Sequence, residues 1–444
     1  MKISFRILWI SVYLVGTVYF SFGTTETTLH NFAGGTDGFN PLGDLLFDPQ
    51  TGFLLGTTNK GGGSAACPQG CGTVFAIRPD GTGYTILYHF LGGADGANPQ
   101  AGLVMDANRN LYGTTYNGGT HNLGTVFKLH PSGNGHFTET VLLSFPGGAG
   151  GAHPRSKLVL DASRNLYGTT FGGGPSGLGI VFRVAPAGTE TVIHRFSGGN
   201  GSHPQAGVVF DAAGNLWGTT SAGGVSHLGT VFKLSPSGAD WTQTFLYSFR
   251  GTDQADGANP YAAVTIDANG NVFGTTRSGG STSCAFASAG CGVVFELQPS
   301  GQSFTESVIY SFTGGLDGAA PIGDLTIGLD VGLHQYIYGT ASQAGTIGGT
   351  CPAAGCGVAF ELCGVGSSCQ SGVDLWTEYT LFDFAGAVGG RTPSANMVVF
   401  APVGMEGEHP DFPSGGRGGC TSGCATTTGN GGSSGGGTTS SLSD

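Results

Sequence analysis

The sequence predicts an all-β chain folded as a β-propeller of four-stranded antiparallel blades, and three observations predict it. One phrase returns six times: "FLLGTT" from Phe53, "NLYGTT" from Asn110 and again from Asn165, "NLWGTT" from Asn215, "NVFGTT" from Asn271 and "YIYGTA" from Tyr336. The glycines that precede its threonines stand at 56, 113, 168, 218, 274 and 339, a period suited to propeller blades. Composition agrees, since 86 glycines and 10% charged residues accompany 39% hydrophobic ones. That balance is too apolar for a disordered chain and too rich in glycine for a helical one.

The chain opens with Lys2 and Arg6 ahead of an apolar stretch from Ile7 to Phe20, with small residues at Ser21 and Gly23. Residues 1–23 therefore read as a cleaved signal peptide, because the apolar core falls short of the ~20 residues a spanning helix needs. An uncleaved membrane anchor is the competing reading. After cleavage no segment is expected to span a bilayer, and the protein is expected to be secreted or at the cell surface.

Each repeat then supplies four short pieces. In the third they are "KLVLD" (157–161), "NLYGTT" (165–170), "GIVFRV" (179–184) and "TVIHRF" (191–196). All are rich in β-branched and aromatic residues and bounded by Gly, Pro, Asn or Asp, which are strand and turn signatures. Between the first two pieces stands "DANRN", "DASRN", "DAAGN" or "DANGN", a tight hairpin in which Asp and Asn bond nearby backbone. Alternation sends Leu111 and Tyr112 to opposite faces, while Gly113 lets a bulky side chain of the adjacent sheet approach the backbone. The threonines are read as packing residues, since six copies of a catalytic group are not needed.

Counting strands sets the number of blades. An outer strand ending in Phe occurs seven times, at Phe32, Phe90, Phe145, Phe196, Phe249, Phe312 and Phe384. The first-strand type also occurs seven times, ending with "MVVF" at 397–400, whereas the GTT strand occurs six times. The preferred reading is seven blades filling 24–429, the seventh degenerate, built from 401–429 and closed by the N-terminal "TTLHNF". Six blades with surplus terminal strands is the alternative. Residues 430–444 form a Gly, Ser and Thr-rich disordered tail.

The pattern "P…LV.D..GNLYGTT..GG…GTVFKL" resembles the Gloeo-Verruco, or GloVer, tandem repeat of exported bacterial proteins over roughly residues 27–400. The resemblance implies export and a propeller-like array; it brings no activity and no catalytic residues. The sixth copy departs from it at Ala341, and 414–444 lacks the closing apolar segment of an anchor.

Ten cysteines fall into five close pairs: Cys67 with Cys71, Cys284 with Cys291, Cys351 with Cys356, Cys363 with Cys369, and Cys420 with Cys424. An even count behind an export signal reads as disulfides that staple loops. A zinc site would want two-residue gaps or paired histidines, and neither is present. The net charge of −12 arises from 28 acidic and 16 basic side chains, with the basic ones scattered, which argues against nucleic acid as a partner.

Candidate ligand-binding residues lie in the connections that lead from each outer strand to the next blade. Immediately before the prolines stand Asn40, Asn98, His153, His203, Asn259, Ala320 and Thr392, and three residues earlier Asp37, Asp95, Asp256 and Asp317. A polar, acidic ring at the channel mouth would bind a sugar-like ligand or a cation through oxygen atoms. Turn chemistry explains the same residues without any ligand. The repeats hold no Gly-x-Ser-x-Gly elbow, no phosphate-binding Gly-x-x-x-x-Gly-Lys and no His-Glu-x-x-His. The sequence thus favours an exported, non-catalytic binding module without a cofactor or resident metal, with an extracellular protein or glycan as partner. An extracellular carbohydrate-active hydrolase or lyase with channel-mouth carboxylates is the alternative. A blade-specific cluster of carboxylates or histidines would discriminate them.

Overall fold

The computed structural model describes residues 2–5 and, with short internal gaps, 27–364, 376–384 and 393. Six four-stranded antiparallel sheets form six blades, spanning 46–89, 104–144, 159–195, 209–248, 265–311 and 326–383. In the third blade the strands are Val159–Leu160, Leu166–Thr170, Ile180–Val184 and Glu190–Arg195, paired in sequence order. The sixth sheet gains a short extra strand, Ala319–Pro321.

Among the described residues the blades therefore number six, which supports the six-blade alternative and not the preferred seven. The N-terminal Thr27–Asn31 belongs to no blade; it pairs antiparallel with Lys2–Phe5. The residues that would have to complete a seventh blade, 401–429, and its first strand at 397–400 lie outside the described residues, as do the expected tail at 430–444 and most of the segment read as a signal peptide. No helix among the described residues is long and apolar enough to cross a membrane.

The core lies between blades rather than within them. The Phe that ends the outer strand of blades one to five is driven edge-on into a Phe on the third strand of the next blade. Phe90–Phe127, Phe145–Phe182, Phe196–Phe232, Phe249–Phe295 and Phe312–Phe360 repeat this contact at 5.0–5.2 Å. Such edge-to-face pairs add about 0.5–1.5 kcal/mol beyond the burial of their area. Phe32 makes the same contact with Phe75 at 5.3 Å, so the strand Thr27–Asn31 serves blade one as an outer strand without having a blade of its own.

Each residue of the GTT phrase has a packing role. A Cβ on Gly168 would come within 2.8 Å of Leu158 and 2.9 Å of Phe182, its cross-strand partner. The bulky neighbour thus comes from the same sheet, not the adjacent one as the sequence suggested. The first threonine reaches to the next blade. Thr57, Thr114, Thr169 and Thr219 donate to the carbonyls of Ala101, Ser156, Ala206 and Ala262 at 2.7–3.2 Å. The second threonine closes its own loop, as Thr115 does to the Asn117 carbonyl at 2.8 Å. The DANRN hairpins are as expected: Asp106 accepts from the backbone N–H groups of Asn108 and Asn110 and from the Asn110 side chain.

Candidate functional site: the central channel

The connection into each blade begins with a residue forced into the left-handed region. Asn40, Asn98, His153, His203, Asn259 and Ala320 all have φ between 52° and 61°, a conformation for which Asn and His are favoured among non-glycine residues. From Pro99 onward the following proline then lies against the glycine that closes the preceding blade's second-to-third loop, as Pro99 does on Gly72 and Pro154 on Gly124, and Pro393 lies in the same way on Gly357 of blade six.

In this position the predicted ring residues tie blades together. The Asn98 backbone N–H donates to the Cys71 carbonyl at 2.7 Å, and its side-chain amide to the Asn59 carbonyl at 2.9 Å. Asn259 donates likewise to the Leu228 and Ser221 carbonyls. His153 Nδ1 is 3.0 Å from the Tyr116 carbonyl, with its ring stacked on Tyr116. The His203 ring lies 4.8 Å from that of Phe171, and burial, with the Arg155 charge, lowers its pKa.

The four aspartates point the other way, to the outer blade interfaces. Asp37, Asp95, Asp256 and Asp317 each accept the backbone N–H four or six residues back, from Ala33, Leu91, Arg250 and Thr313. Each also bonds a ring on the preceding outer strand: His30, Tyr88, Tyr247 or Tyr310. The next outer strand brings Glu139 beside Asp95, Glu306 beside Asp256 and Glu378 beside Asp317. Burial, reinforced by the aspartate charge, raises Glu139 to about 8 and Glu306 and Glu378 to about 7. Tyr247 has one proton yet lies 2.9 Å from Asp256 and 3.2 Å from Glu306, so a proton on Glu306 completes the network.

The channel is lined instead by the residues that follow each proline. It encloses about 510 Å³ and draws its wall from all six blades; none of the nine predicted binding residues lines it. Three positions after the prolines stand Asp44, Gly102, Lys157, Gly207, Ala263 and Asp324, and one position after them Leu42, Gln100, Arg155, Gln205, Tyr261 and Ile322. These are the places where otherwise similar repeats diverge in charge. Asp324 accepts the Ala263 N–H at 2.7 Å. Burial, with the Asp44 charge, pushes its pKa up, while Lys157 and the Ala263 N–H oppose that shift. Arg155 donates to Gln205 Oε1 at 2.9 Å and lies 4.2 Å from the Phe171 ring centroid and 5.0 Å from that of Tyr116.

Sequence reasoning missed Asp44, Arg155, Lys157 and Asp324. The available signal was divergence within the repeat; recurrence had drawn attention to the turn residues instead. Among the described residues no group of three or more His, Cys, Asp or Glu is placed to hold a metal ion.

Two expected disulfides are formed, Cys67–Cys71 and Cys284–Cys291, with Cα atoms 5.2 and 5.3 Å apart. Cys356 and Cys363 are also disulfide-bonded. Their expected partners, Cys351 and Cys369, lie outside the described residues. The fifth expected bridge falls there too, since both Cys420 and Cys424 lie outside the described residues. The bridges of blades one and five brace second-to-third loops whose Cys71 and Cys291 carbonyls accept the pre-proline N–H groups of Asn98 and Ala320.

The chain is similar to solved structures of low identity. A protein from Lactobacillus plantarum is 16% identical with a TM-score of 0.49, covering 84% of this chain and 91% of that one. The periplasmic gluconolactonase of Pseudomonas aeruginosa is 16% identical with a TM-score of 0.45, covering 80% and 86%. A gluconolactonase from Xanthomonas campestris is 13% identical with a TM-score of 0.35, covering 68% and 93%. No curated protein matches the chain. The family described as the Gloeobacter/Verrucomicrobia repeat matches residues 11–209 and 131–352, more than half of the sequence, and with the repeated blades this places the chain in the Gloeobacter/Verrucomicrobia repeat family.

Proposed function

We propose that this chain is an exported, non-catalytic propeller that holds a small, hydroxyl-rich extracellular ligand, a glycan fragment, in its central channel. The observation that carries this reading is the placement of Asp44, Arg155, Lys157 and Asp324. They occupy equivalent turns of three blades, one, three and six, all lining one channel, where the repeats differ in charge. A volume of about 510 Å³ suits a small ligand, and binding sites of this class combine apolar walls with a few convergent polar groups. Pre-proline residues and rim aspartates then serve as scaffold. Export rests on the apolar leader at 1–23 and on bridged cysteines, which belong to an oxidising compartment.

One observation favours the second reading, an extracellular carbohydrate-active hydrolase or lyase. Burial, with the Asp44 charge beside it, raises the Asp324 carboxyl above the ordinary carboxylate range, which gives it the character of a general acid. A glycan array followed by a reducing-end assay on each hit separates the two. Retention of intact glycan supports the binding module. Turnover that disappears in Asp324→Asn supports the enzyme, and absence of any hit contradicts both.

A further inference from the structure

The channel wall has an uneven distribution of charge. Blades one and six supply Asp44 and Asp324, and blade three supplies Arg155 and Lys157. Lys157 acts on Asp324, so its charge has a counterpart within the channel. Arg155 differs. No carboxylate lies within 4.0 Å of it among the described residues. Among the described residues its donors meet only neutral oxygens, at Gln205 and the Tyr116 hydroxyl, and its Nε is buried without a hydrogen-bond partner there. The guanidinium is nevertheless fixed, with rings of Tyr116 and Phe171 beside it and the Gln205 amide at one edge.

We infer that Arg155 is the anion-recognition residue of the channel and that the ligand is a carboxylated sugar, a uronate, bound with its carboxylate at Arg155 and its hydroxyls toward Asp44 and Asp324. This inference rests on the glycan-binding reading above and names the class of glycan. A planar guanidinium held in a fixed orientation matches a carboxylate through paired N–H donors, where a lysine would offer only a point charge. Sugar hydroxyls donate well to carboxylates, so the acidic wall suits the uncharged part of such a ligand. A simple dicarboxylate would set its second charge against Asp44 and Asp324, and a neutral sugar would leave the Arg155 charge unanswered.

The test is calorimetric titration of the full chain with uronate-containing disaccharides, their neutral counterparts and succinate. The wild type is expected to bind a uronate disaccharide about tenfold or more tighter than its neutral counterpart, as a charge-assisted hydrogen bond would provide. Arg155→Gln is expected to erase that difference between uronate and neutral disaccharide. Should Arg155→Gln fail to fold, Gln205→Leu releases the guanidinium without removing it and should reduce the preference. Equal binding of uronate and neutral sugars by the wild type overturns the inference and leaves the glycan-binding reading standing. A preference that persists in folded Arg155→Gln overturns the assignment of Arg155, and tighter binding of succinate overturns the sugar. Binding of none of the probes overturns the inference together with the reading beneath it.

Discussion

At the scale of single residues, the GTT phrase is explained by contacts a few ångströms long. Gly168 faces Phe182 across the sheet, and a valine there would overlap both Phe182 and Leu158. Gly168→Val is expected to cost ~1–3 kcal/mol, read as a lower midpoint in denaturant unfolding, and an unchanged midpoint would refute the packing account. The threonine beside it is tested separately. Thr169 donates to the Ala206 carbonyl of the next blade at 2.7 Å in a buried setting. Thr169→Val keeps the shape and leaves that carbonyl short of a donor, with an expected loss of about 1–3 kcal/mol by the same measurement. The sequence made the packing role legible because six copies implied a structural need. It did not reveal that the bulky neighbour comes from the same sheet, since periodicity gives the face of a strand but not the partner opposite it.

At the scale of the element, the outer strands and the turns that follow them form clamps between blades. Asp95, Asp256 and Asp317 were legible as recurrent turn residues, but their direction was not, because the rings and glutamates that receive them are set by blade packing. Their neighbours Glu139, Glu306 and Glu378 have pKa values raised in the folded protein, so the fold binds their protons more tightly than the unfolded chain does. That contribution to stability is fully present below the unfolded carboxylate range and is lost as pH rises through the folded values, about 7 to about 8. The melting temperature is therefore expected to fall between about pH 5 and about pH 8, and the triple Glu→Gln variant at these positions should flatten the profile. Blade four already has the neutral version: Gln243 donates to the Asn200 carbonyl at 3.1 Å. A wild-type profile that rises over this range would contradict the clamp account.

At the scale of the whole molecule, the propeller itself was legible, and the number of blades was not. Counting outer strands gave seven because Phe32 has the pattern of an outer strand and makes its contact, with Phe75, while belonging to no blade. A strand's pattern records what it packs against, which is the neighbouring blade and not its own. The channel was hidden for a related reason. Its wall is built from the positions that vary between repeats, and recurrence alone directs attention to the positions that do not. The central claim is that ligand recognition belongs to the channel wall and not to the pre-proline turns, and one comparison tests it most directly. Binding of the array's strongest glycan is measured for a channel variant combining Asp44→Asn, Lys157→Gln and Asp324→Asn, and for a turn variant combining His153→Ala, His203→Ala and Asn259→Ala, each shown to be folded by its melt. The channel variant is expected to lose binding and the turn variant to retain it. Loss in the turn variant with retention in the channel variant would contradict the claim.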